Sequence, residues 1–263
     1  MNGTYYILST GRRTQESPYE MFVLESTIPD DPMGPYEFRG FLDLQGAIDG
    51  SAFEWEGQMY LLWSQLESTP GSEGLQQCNW IAALGSDWSL TERSRLSCAD
   101  HAWEMVGNRV NEGPQAVDRD GRLFVVYSAS LTLSTEYCLG LLEFKGGEVL
   151  DAANWFKHVQ PVFQSDPQQG VYGPGHHTIA RNPLTDEWIL IYHAKCTAEW
   201  TADDRLVQAK TFSWDREGRP VFGRPSPYER SRAWSWSRVQ EMIRAVTSSP
   251  RATSQSTIPL ATT

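Results

Sequence analysis

Gly57-Gln58-Met59-Tyr60-Leu61-Leu62-Trp63-Ser64 is a turn followed by an unbroken apolar strand that ends in a small polar residue. The same signature opens the chain as Gly3-Thr4-Tyr5-Tyr6-Ile7-Leu8-Ser9 and returns as Gly121-Arg122-Leu123-Phe124-Val125-Val126-Tyr127-Ser128. A looser copy is Asp186-Glu187-Trp188-Ile189-Leu190-Ile191-Tyr192-His193. The copies start 54, 64 and 65 residues apart. Self-similarity at such a period is the mark of a propeller, in which each unit is one blade of short strands. An apolar run without alternation suits a strand covered on both faces by neighbouring blades. Between the copies lie further short strands and Gly, Pro and Asp turns, and helix signals are scarce before residue 226. A two-sheet sandwich is the competing architecture, but it does not require repeats of this length.

Composition narrows the partners. The 263 residues carry a formal net charge of -11 and a pI near 4.9, which repels a phosphate backbone and excludes nucleic acid. No apolar run approaches a membrane span. Met1 is followed at once by Asn2-Gly3-Thr4, so no signal peptide is read at the start. Eleven Trp residues offer flat faces for sugars, with Trp63 and Trp103 as candidate walls. Cys78, Cys98, Cys138 and Cys196 form no CxxC pair, which argues against a zinc cluster and leaves up to two disulfides or buried thiols open. Residues 226–263 are rich in Ser, Thr and Arg and read as a mostly disordered tail, with a short helix capped by Ser237.

The acids of interest share a place in the repeat. Asp49, in Ile48-Asp49-Gly50, stands eight residues before Gly57, and Glu112, in Asn111-Glu112-Gly113-Pro114, nine before Gly121. His176, in Gly173-Pro174-Gly175-His176, stands ten before Asp186. Equivalent positions in successive blades face the same end of the propeller axis. Apolar neighbours and a Gly-Pro turn desolvate Glu112 and raise its pKa, as an acid that donates a proton near neutral pH requires.

These motifs, with Tyr127-Ser128, Tyr137-Cys138-Leu139-Gly140-Leu141, Pro161-Val162-Phe163-Gln164-Ser165 and Tyr192-His193-Ala194, resemble in order and spacing the blade motifs of glycoside hydrolase family 43. The resemblance covers residues 1–225 and lies closest to the arabinofuranosidase-like branch. It implies a five-bladed all-β propeller that hydrolyses arabinofuranosyl linkages of plant polysaccharide with inversion, with β-xylosides as the alternative substrate. It assigns Glu112 as general acid, Asp49 as the residue that orients it and tunes its pKa, and Arg205 and His177 to substrate contact. His176 matches a central histidine that meets a calcium ion through water in many members; no cofactor is required for the reaction. Members are extracellular, and a monomer is expected. The family's general base is an Asp just ahead of a segment like Gly3–Ser9. Here it has no counterpart, since Asp30, Asp31 and Asp43 follow that strand out of register. The expectation is a chain clipped at its first strand, or a carbohydrate-binding propeller that no longer turns over.

Overall fold

The structure is a computed structural model and describes residues 3–68 and 74–227. It is built from strands, and no helix of the described residues is long and apolar enough to cross a membrane. Four antiparallel units follow one another along the chain. The first consists of β1 (Tyr6–Gly11), β2 (Glu20–Ser26) and β3 (Tyr36–Gln45). The second holds β4 (Ala47–Trp55), β5 (Gln58–Ser68), β6 (Leu75–Leu84) and β7 (Leu90–Ser97). The third holds β8 (Arg109–Arg119), β9 (Arg122–Ala129), β10 (Cys138–Phe144) and β11 (Trp155–Lys157). The fourth holds β12 (Tyr172–Arg181), β13 (Trp188–Lys195), β14 (Arg205–Trp214) and β15 (Pro220–Val221). A short parallel pairing of Gln76 and Gln77 with Arg109 and Val110 joins the second unit to the third.

Each signature run is β1, β5, β9 or β13, and in the last three units it is the second strand of its blade. The unbroken apolar run is explained by packing on both faces. Leu61 and Trp63 of β5 face Met21, Val23, Leu42 and Leu44 of the first unit. Leu62, between them, faces the third unit, with Leu123, Val125 and Tyr127 of β9. Phe124 and Val126 of β9 turn the other way, onto Leu190, Tyr192 and Ala194 of β13. The core is therefore three apolar seams between four stacked sheets rather than one central mass. The outer strand β14 has one side in solvent and alternates in burial accordingly.

This packing corrects one expectation. Trp63 is fully buried in the seam between the first two units, stacked on Trp80 at 6.2 Å with its Nε1 donating to Gln65. It offers no face to a sugar. Of the cysteines, Cys78 and Cys98 form a disulfide across the end of the β6–β7 pair, while Cys138 is a buried thiol and Cys196 an exposed one. The described residues form four blade units, and the expected fifth blade is not among them. The helix expected at Ser237, and the expected tail from residue 228 onward, lie outside the described residues.

Candidate active site

The first strands of the second, third and fourth units, β4, β8 and β12, lie side by side, β4 against β8 and β8 against β12. Each breaks its pairing with the signature strand. The register slips between Ile48 and Ser51 in β4, between Glu112 and Gln115 in β8, and on both sides of Gly175, from Tyr172 to Thr178, in β12. At these bulges Asp49, Gly113 and His176 adopt left-handed backbone, with φ of 58°, 54° and 46°. A bulge re-aims a side chain that regular pleating would bury or splay. A non-glycine residue held at positive φ costs on the order of 1–3 kcal/mol, which the surrounding ladder must offset. Cross-links just past the bulges hold the strands together. Ser51 donates to the Pro114 carbonyl at 2.6 Å, and Gln115 acts as a rung to β12 by accepting from the Ile179 N–H and donating to its carbonyl.

The three bulges bring Asp49, Glu112 and His176 together, as their shared offset predicted. His176 stands between the two carboxylates, its Nε2 3.8 Å from Asp49 Oδ1 and its Nδ1 4.0 Å from Glu112 Oε1. The N–H of Gly113, the residue after Glu112, donates to Asp49 Oδ2 at 3.2 Å. Glu112 is largely buried, with 14% of its side chain exposed, and its pKa is raised, first by desolvation and then by the negative charge of Asp49. Desolvation also raises the pKa of Asp49, against the opposing pull of His176 and the Gly113 N–H. Both oxygens of Glu112 are engaged: Tyr137 donates to Oε1 at 2.6 Å and Gln77 to Oε2 at 3.0 Å. Neither Tyr137, which opens one of the motifs of the resemblance, nor Gln77 was assigned a role from the sequence.

Behind this group lies a second set that sequence reasoning missed. Glu104 is fully buried and accepts from the N–H groups of Asp100 and His101, from Asn111 Nδ2, from the Tyr127 hydroxyl and from Lys157 Nζ at 2.8 Å. Asn111 directly precedes Glu112, so this network pins the start of the bulge. Asp100, His101 and Glu104 also group their ligand atoms closely, but the Lys157 ammonium already supplies the cation there.

Other expectations fare differently. Arg205 opens β14, exposed and held by the Ala202 carbonyl and Thr132, and with burial its charge holds His193 down to a pKa of about 4. His193 in turn stacks on His176 at 6.1 Å, so Arg205 belongs to the same face of the molecule. His177, expected to touch substrate, is buried instead. Its pKa is pushed down to about 3, and its two ring nitrogens find no hydrogen-bond partner among the described residues. Residues before and after a bulge point to different sides, and His177 takes the inner one. Trp103 is half-buried, with contacts to His101, Tyr127 and the Val159 carbonyl. For calcium, an ion that takes six to eight oxygen ligands, the protein offers around His176 its imidazole and the flanking Asp49 and Glu112 carboxylates, so an ion there would draw most of its ligands from water.

The sequence matches the family model described as glycosyl hydrolases family 43 over residues 1–220. The chain belongs to this family. Relatives include alpha-L-arabinofuranosidase B of Pyricularia oryzae, 31% identical over 85% of this chain and 48% of its own length. Another is the extracellular exo-alpha-(1->5)-L-arabinofuranosidase of Streptomyces chartreusis, 36% identical over 70% of this chain and 56% of its own. Among solved structures, an alpha-L-arabinofuranosidase from Lactobacillus brevis superposes with a TM-score of 0.78 at 29% identity, covering 87% of this chain and 75% of that one. The chain spans about half the length of the curated relatives it matches.

Proposed function

We propose that this family 43 centre hydrolyses α-L-arabinofuranosyl linkages of plant cell-wall polysaccharide such as arabinan or arabinoxylan, with inversion at the anomeric carbon. The observation that carries the reading is the buried Glu112 carboxyl beside Asp49, its pKa raised by burial and by that neighbouring charge. A raised pKa favours the protonated form, the one that can deliver a proton to the departing glycosidic oxygen. Asp49 keeps the proton affinity high, and the Gly113 N–H ties it to the acid's own strand. Arg205 stands near the sugar hydroxyls. Water attack from the opposite face needs a second carboxylate, roughly 6.5–9.5 Å from the first in an inverting enzyme. By the resemblance to the family, that carboxylate would come from a segment ahead of β1.

Relatives named as arabinofuranosidases support arabinose over xylose at this site. A neutral polysaccharide suits the acidic chain, and the Cys78–Cys98 disulfide suits an oxidising, extracellular setting for a monomeric enzyme. A second reading, a binding propeller without turnover, draws on the sequence: Asp30, Asp31 and Asp43 follow the first signature strand out of register, so none of them matches the family's general base. Incubation with α-1,5-arabinotriose and with xylotriose separates these readings. The hydrolase releases arabinose and little xylose. Binding of arabinotriose without release gives the second reading.

A further inference from the structure

Tyr137 lies one residue ahead of β10 and is completely buried. Its ring lies parallel to His193 of β13, 5.5 Å away and tilted by 4°. The Gly-Pro-Gly turn of β12 closes over the other side. A Cβ at Gly175 would sit 2.3 Å from the Tyr137 ring, whereas one at Gly173, itself at positive φ, would run into the Ser134 carbonyl at 2.6 Å. Gly175 therefore leaves a slot for the ring that a side chain there would close. The slot aims the hydroxyl at three groups: Glu112 Oε1 at 2.6 Å, His176 Nδ1 at 3.4 Å and the hydroxyl of Ser128. Ser128 also accepts the backbone N–H of His176 at 2.8 Å. One buried phenol thus joins the acid on β8 to the histidine on β12.

We propose that Tyr137 is a positioning residue for Glu112, and that the slot at Gly175 exists to deliver its hydroxyl to that carboxyl. The proposal rests on the reading of Glu112 as general acid. A buried tyrosine needs a hydrogen-bond partner, and most find a carbonyl; here the partner is a catalytic carboxyl. Donation to a carboxylate favours its charged form. Tyr137, Gln77 and His176 therefore oppose burial and Asp49, so that the proton is held and yet leaves. The hydroxyl also fixes the plane of the carboxyl toward the leaving oxygen.

The test uses Tyr137→Phe and Gly175→Ala beside the wild type, with pH profiles of kcat/KM, the kcat and KM values and melting temperatures. In Tyr137→Phe, loss of the donor raises the proton affinity of Glu112. The high-pH limb moves to higher pH and kcat at the plateau falls about tenfold with KM unchanged. Gly175→Ala moves the limb the same way. A limb that stays at the wild-type pH in Tyr137→Phe, with any loss of rate matched by lost stability, overturns the proposal. Should the protein hydrolyse nothing, the functional reading fails separately, and the Glu112 carboxyl is then titrated directly by 13C NMR, its signal assigned by Glu112→Gln. A higher titration midpoint in Tyr137→Phe than in the wild type supports the positioning role, and an unchanged one refutes it.

Discussion

Asp49 and Glu112 are two acids whose charges resist each other in a desolvated place, and that has consequences for single substitutions. Asp49→Asn keeps an oxygen for the Gly113 N–H but removes the charge that raises the pKa of Glu112. The high-pH limb of kcat/KM therefore moves to lower pH, which a pH–rate profile reads. Glu112→Gln has a stability effect of definite sign. Because the folded-state pKa of Glu112 is raised, its contribution to stability is complete below the unfolded value and is lost as pH rises through the folded one. The Gln variant escapes that loss. It melts above the wild type at neutral pH, and the difference closes below about pH 4.5, the ordinary Glu value. Equal melting temperatures at neutral pH would contradict the assigned environment. Asp49, Glu112 and His176 were legible because their offset from each signature repeats. Trp63 and His177 were misread because one dimension does not say which side of a strand or bulge a residue takes. Gln77 gave no signal, and Tyr137, though it opens one of the motifs of the family resemblance, gave none for its role, since each lies far in sequence from the acid it touches.

At the scale of elements, the bulges do the aiming and the buried polar networks hold them. The strands themselves were readable: β5 and β9 are the unbroken apolar runs of the signature, and packing on both faces is the reason. The bulges were not, because a left-handed Asp49 or His176 has no compositional mark beyond a neighbouring glycine. The Glu104 network was also invisible, since its members run from Asp100 to Lys157. Its removal is costly. Lys157→Ala leaves Glu104 charged and buried without its cation, and a loss of about 3–5 kcal/mol is expected in urea denaturation. A loss under about 1 kcal/mol would show that other donors suffice. The disulfide closes a short loop between residues 20 apart, and replacing Cys78 and Cys98 with Ser lowers stability by about 3 kcal/mol on the chain-entropy account.

Across the whole molecule, stacked sheets share seams, and the inner strands meet at one face where acid, modulator and histidine converge. The repeat made that architecture readable, because each signature marks one blade. The number of blades was not settled by counting signatures, and four units are formed by the described residues. The central claim is that Glu112 is the proton donor to a sugar leaving group. It is tested most directly by comparing wild type and Glu112→Gln on two arabinofuranosides, α-1,5-arabinotriose and an aryl arabinofuranoside with a dinitrophenol leaving group. The first needs a proton to depart and the second does not. The account predicts that Glu112→Gln loses about 10²–10⁴-fold in kcat/KM on arabinotriose and only a few-fold on the aryl substrate. Equal losses on both substrates, or undiminished cleavage of arabinotriose, would contradict it.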